Sequence, residues 1–157
     1  MATLRQQIRS NSVAIISLSV ALIGLSYNTW RNETTESQRN IRQAAFRVIE
    51  SLGELQEVAD FRYYYLPFEG NGSNEGELRL RGYGSVAMVR DLMNLMPSPA
   101  PAASDNLFGL WARHVDTLPE LDENGQHTAT AKIAEKELTT AIKQARVAVL
   151  EVLEKLE

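Results

Sequence analysis

The sequence predicts an all-α protein: a single N-terminal transmembrane helix followed by an antiparallel four-helix bundle. Three observations lead there. Residues 13–30, VAIISLSVALIGLSYNTW, form the most apolar stretch of the chain and contain no charged residue. Beyond them, apolar residues recur at alternating steps of four and three over two long segments, the period of a helix face packed in a bundle. The segments between are joined by short connectors rich in Pro, Gly and Asn, and short connections make neighbouring helices antiparallel.

The apolar stretch comes first. As a helix its eighteen residues span about 27 Å at about 1.5 Å per residue, close to the hydrocarbon thickness of a bilayer. Val13, Ile16, Val20, Leu22, Ile23 and Leu25 supply its apolar body. Tyr27 and Trp30 stand at its C-terminal end, where amphipathic rings favour the headgroup layer. A cleaved signal peptide and a buried core helix are the competing readings. The basic start, Arg5 and Arg9, fits a signal peptide, but no Ala-x-Ala cleavage pattern follows. The strictly apolar run is short for a span, which fits a core helix. Ser17, Ala21 and Gly24 are small, and small residues permit close approach of a second membrane helix, so these three form a candidate helix–helix contact in the bilayer.

Lys and Arg counts on the two flanks do not differ decisively. The N-terminal flank is short and purely basic, as in an uncleaved signal anchor. It places the N-terminus in the cytoplasm and the body outside, in the periplasm of a bacterial inner-membrane protein. The expected organisation is a tail at 1–12, an anchor at 13–30, a polar juxtamembrane segment at 31–40 and a helical bundle domain at 41–157.

The bundle elements follow in order. Thr35-Glu36-Ser37-Gln38 has capping-box spacing and marks a seam where one helix can end and another begin. Ile41, Ala45, Val48, Leu52, Leu55 and Ala59 then form an apolar stripe, and a helix is expected from Ile41 to Leu66, stopped by Pro67. Glu69 to Asn74 reads as a turn, with Asn74 as a cap. Glu75 to Met96 reads as helix, although Leu78 to Arg81 alternates like a strand and Gly82 and Gly84 are poor helix formers. Pro97 to Pro101 reads as an extended connector. Ser104 or Asp105 is the expected cap of a helix from Asn106 to Leu118. Thr128 to Glu157 is the clearest helix, with Leu138, Ile142, Ala145, Val149, Val152 and Leu156 as its stripe.

Composition narrows the function classes. The chain has 157 residues, no Cys and two His. Lacking thiols, it has no thiolate nucleophile and no zinc–thiolate site. Arg5 and Arg9 are the only charges before Arg31, so the remainder carries fourteen basic against twenty acidic side chains. An acidic body argues against nucleic acid as a partner. His114 and His127 fall on different elements, and no Glu-x-x-His pair or Gly-x-Ser-x-Gly elbow occurs. The sequence therefore implies no enzyme, no cofactor and no metal.

One further segment stands out. Phe61, Arg62, Tyr63, Tyr64, Tyr65 and Phe68 surround Pro67. Three consecutive tyrosines point three ways on a helix, so at least one is exposed, and exposed Tyr beside Arg is common in protein interfaces. These six form the candidate protein interface. The layout of anchor and bundle resembles the extracytoplasmic sensor domains of bacterial receptors in architecture alone. The expected function is a non-enzymatic accessory, scaffold or interaction subunit of a membrane complex, with the lipid bilayer and other membrane subunits or a second copy as partners. The alternative is a small-ligand-binding bundle with a pocket lined by Tyr83, Trp111 and His114.

Overall fold

The computed structural model describes residues 11–69 and 75–156. Among them there are four α-helices, α1 (Ser12–Tyr64), α2 (Glu75–Met93), α3 (Ala100–His114) and α4 (Ala129–Glu154), plus a 3-10 helix at Leu66–Phe68. No strand forms; Leu121 and His127 make an isolated antiparallel bridge in the connection before α4. The chain divides into two compact units, one ending at Asn40 and one beginning at Ile41.

α1 is helical through Thr35–Gln38, so the capping signal there is not used. The reason is local. Thr35 Oγ1 donates to the carbonyl of Arg31 at 2.9 Å, and Thr34 Oγ1 to that of Trp30 at 2.9 Å. Both hydroxyls bond back along the helix, an option always open to Ser and Thr in competition with capping. α1 ends at Tyr64, two residues sooner than expected, and Pro67 sits inside the 3-10 helix that follows.

Leu78 to Arg81 and both glycines lie within α2. Asn74 and its turn fall outside the described residues. α3 corrects the reading of the Pro-rich connector. It begins at Ala100, with Pro101 in its first turn, where a missing N–H costs no hydrogen bond. Ser104 is consequently inside the helix and buried, donating to the carbonyl of Pro101 at 2.8 Å. Asp105 pairs instead with Arg90, at 2.8 Å. Val115 and Leu118 lie in the turns after α3 and are still fully buried. α4 starts after Thr128, whose hydroxyl accepts the Ala131 N–H at 3.1 Å, the capping bond a helix N-terminus needs.

All four helices contribute to one core in the second unit. α1 gives Val48, Leu52, Leu55 and Val58; α2 gives Val86, Val89 and Met93; α3 gives Leu107 and Trp111; α4 gives Leu138, Ile142, Ala145, Val149 and Val152. The α1 stripe read from the sequence is buried from Ala45 to Ala59, with Ile41 packed at the core's edge. Among the described residues, every core residue lies at or beyond Ile41.

Candidate functional site

Two surfaces stand apart from this well-packed interior. The first is the start of α1. Its large apolar and aromatic side chains from Val13 to Trp30 are all exposed, between 48% for Ile15 and 75% for Val13. Val13, Ile16, Val20, Leu22, Ile23, Leu25, Tyr27 and Trp30 therefore cover the helix all round rather than as a stripe. By length and composition this is one helix apolar enough to cross a membrane. Ser19 Oγ donates to the Ile15 carbonyl at 2.9 Å and Thr29 Oγ1 to that of Leu25 at 3.0 Å, so these hydroxyls are satisfied within the helix. Ser17, Ala21 and Gly24 follow at steps of four and three and so share a face. A Cβ added at Gly24 meets nothing within 4 Å.

The second surface is the C-terminal end of α1, and here the six candidate interface residues divide. Tyr64, Tyr65 and Phe68 are exposed, and Phe61 is half-buried and stacks on Tyr65 with ring centroids 5.5 Å apart. An open groove of about 780 Å³ runs beside them, lined by Gly53, Gln56, Glu57, Asp60, Phe61, Tyr64 and Tyr65. Its chemistry is aromatic and acidic.

Tyr63 and Arg62 do not belong to that surface. Tyr63 is buried and stacks flat on His127, with centroids 3.8 Å apart. Partial loss of hydration pushes the hydroxyls of Tyr63 and Tyr64 above their usual pKa, and the nearby Glu135 carboxylate adds to the shift. Arg62 is fully buried. Its Nε donates to the Val115 carbonyl at 3.1 Å and its Nη1 to the Glu75 carbonyl at 3.4 Å. Its Nη2 makes no hydrogen bond among the described residues but lies 3.8 Å from carboxylate oxygens of both Glu75 and Asp116. Burial pulls the Arg62 pKa down, and the two carboxylates oppose that. Asp116 also accepts two bonds from Arg79, at 2.8 and 3.0 Å. Those bonds hold its carboxyl below the usual range and raise Arg79.

This cluster ties the end of α1 to the start of α2 and to the turn after α3. A buried guanidinium needs such partners because desolvation of an uncompensated charge is costly. The sequence did carry a signal for Arg62: it stands three residues after Ala59, the next step of the α1 stripe. The cluster's other members, Glu75, Arg79 and Asp116, carry no local pattern that links them.

The three residues of the alternative ligand-binding reading, Tyr83, Trp111 and His114, lie on α2 and α3. Trp111 is fully buried, and its indole lies against the backbone of Gly82, where an added Cβ would stand 2.1 Å from Cζ2. Tyr83 meets the indole edge-on at 6.5 Å. His114 Nε2 contacts Glu137 Oε2 at 2.7 Å at the edge of the core. Among the described residues no group of three or more His, Asp and Glu side chains is placed to hold a metal ion. Comparison with known protein families, curated proteins and solved structures finds no match for this chain.

Proposed function

We propose that the protein is a single-pass, membrane-anchored helical-bundle protein that works through protein contacts, as an accessory or scaffold subunit of a membrane complex. The observation that carries this reading is the start of α1, apolar and exposed on every face. Each Val, Leu or Ile taken out of water gains about 1.5–3 kcal/mol, so such a helix needs an apolar surrounding. A bilayer matches its length, and its backbone and at least two of its hydroxyls are already satisfied internally, as hydrocarbon requires.

The bundle is antiparallel in this reading. Cross-helix contacts support it: Arg42 meets Leu156 while Gln56 meets Thr139, and Arg79 meets Asp116 while Arg90 meets Asp105. In both helix pairs, residue numbers rise on one helix as they fall on the other. We place the N-terminus in the cytoplasm and the bundle in the periplasm, following the purely basic flank of Arg5 and Arg9. The exposed rings of Tyr64, Tyr65 and Phe68 beside the acidic groove are the contact surface offered to a partner.

Gentle solubilisation of membranes followed by a mass measurement tests the function. The expected result is a particle heavier than one chain in its detergent belt, holding a second protein or a second copy. A monomer recovered from the soluble fraction overturns the proposal. A reporter fused after Glu157 reads the side of the membrane.

A further inference from the structure

α4 carries a second line of residues, separate from the stripe it buries. Ile133, Thr140 and Val147 recur at seven-residue intervals and are all exposed, the two apolar ones by 54% each. They border a groove between α3 and α4. One part, about 380 Å³, is lined by Leu110, Ile133, Lys136 and Glu137; the next, about 570 Å³, by Ala102, Asn106, Lys143 and Val147. Both parts include Thr140 and Gln144, so the trough is continuous. Where Ala102, Ala103 and Asn106 line it, its α3 wall is short-chained, and the α4 edge is the one that carries exposed apolar residues.

The α4 edge of the trough is self-complementary about Thr140. Ile133 and Val147 lie one heptad to either side. Glu137 and Lys143 lie three residues to either side, and carry opposite charge. We propose that the α4 edge of this trough pairs with the same edge of a second copy of the chain, α4 antiparallel to its counterpart and a two-fold axis passing between them at Thr140. That arrangement sets Ile133 against the partner's Val147 and Glu137 against the partner's Lys143, each twice. A parallel arrangement would instead oppose Glu137 to itself and Lys143 to itself, which like charges disfavour. Lys143 has no ion-pair partner among the described residues, and the Glu137 contact with His114 uses Oε2, leaving Oε1 for the second copy. The ion pairs fix register and direction, while the apolar residues supply the attraction. The inference concerns the second unit and stands whether or not the first unit enters a bilayer.

The chain has no cysteine, so single introduced thiols report without background. In the full-length protein, Thr140→Cys is expected to form a disulfide-linked dimer on mild oxidation. Ile133→Cys and Val147→Cys are each expected to fail alone, because each thiol would sit about 21 Å along the axis from its copy, far beyond disulfide reach. Mixed together, the two are expected to link to each other. Efficient self-linking at Ile133 and Val147 without mixed linking would mean a parallel pair and overturn the proposal, as would a lack of linking at Thr140. Lys143→Glu should raise the dissociation constant roughly tenfold by turning two attractions into repulsions, and adding Glu137→Lys should restore it. If helicity is unchanged and the double variant does not recover, the proposed register is wrong.

Discussion

Gly82 and Trp111 show how a single residue's absence of a side chain is put to use. The indole occupies the volume where any other residue would place its Cβ, so glycine here serves close packing and not backbone freedom. Gly82→Ala is expected to destabilise the fold by about 2–3 kcal/mol, since Trp111 is buried on all sides and cannot swing away. Gly84, two residues on, meets nothing within 4 Å. Gly84→Ala is expected to stabilise by about 0.5–1 kcal/mol through helix propensity and a stiffer unfolded chain. Denaturant unfolding of the two variants side by side checks both signs. From the sequence the two glycines look alike; only the partner across the helix interface separates them.

Asp116 yields a pH prediction. Its carboxyl is held below the usual range first by the hydrogen bonds from Arg79 and further by the charges of Arg79 and Arg62, with burial opposing. A carboxylate depressed in the folded state stabilises at pH above its unfolded value near 4, and that contribution is lost as pH falls through the lower folded value. Asp116→Asn should therefore cost about 1 kcal/mol at pH 7, because the Arg79 pair is half exposed and worth little while Arg62 loses one of two counter-charges. The gap between wild type and variant should narrow as pH falls through and below the ordinary carboxylate range. Thermal melts from pH 7 to pH 2.5 measure it, and a gap that stays constant with pH would refute the assignment.

At the scale of the element, α1 combines two patterns that normally belong to different helices. Up to Trp30 it is apolar all round; from Ile41 it is amphipathic with one buried stripe. Both halves were legible because hydrophobic period reports directly on what a helix faces. The end of one element and the start of another were less so. Thr35 had the chemistry of a cap, but its hydroxyl found an equally good acceptor four residues back. Pro101 looked like a break and is a helix start, a role that depends on which turn it enters. Arg62 reads as part of the interface because it stands beside the tyrosines, although its position on the stripe indicates the interior, where it is found. A charge in the apolar half tests that part of α1 alone. Val20→Arg near the middle of the stretch should disfavour insertion by about 2.5–3.5 kcal/mol, with the variant shifting towards the soluble or aggregated fraction in a flotation assay. Unchanged flotation would remove the helix from the bilayer.

At the scale of the molecule, the core among the described residues draws nothing from the first unit. A chain starting at Ile41 is accordingly expected to fold, to keep its helicity and to melt cooperatively without detergent. Circular dichroism and gel filtration measure this. An unfolded or aggregated product would mean that the first unit supports the fold in some way the core packing does not reveal. The four-helix core was readable in advance chiefly from two apolar stripes. The α3–α4 trough was not, because it is made by residues far apart in sequence whose types are ordinary for a solvated helix face.

The two tryptophans add a practical consequence. One lies in each unit: Trp30 is 64% exposed and Trp111 is enclosed. The protein thus carries its own pair of optical reporters. In a Trp30→Phe variant the remaining emission, from Trp111, should be short in wavelength and shielded from iodide, and should respond only to unfolding of the helical core. The difference between wild type and that variant isolates Trp30, whose colour and quenching follow the medium around the apolar helix.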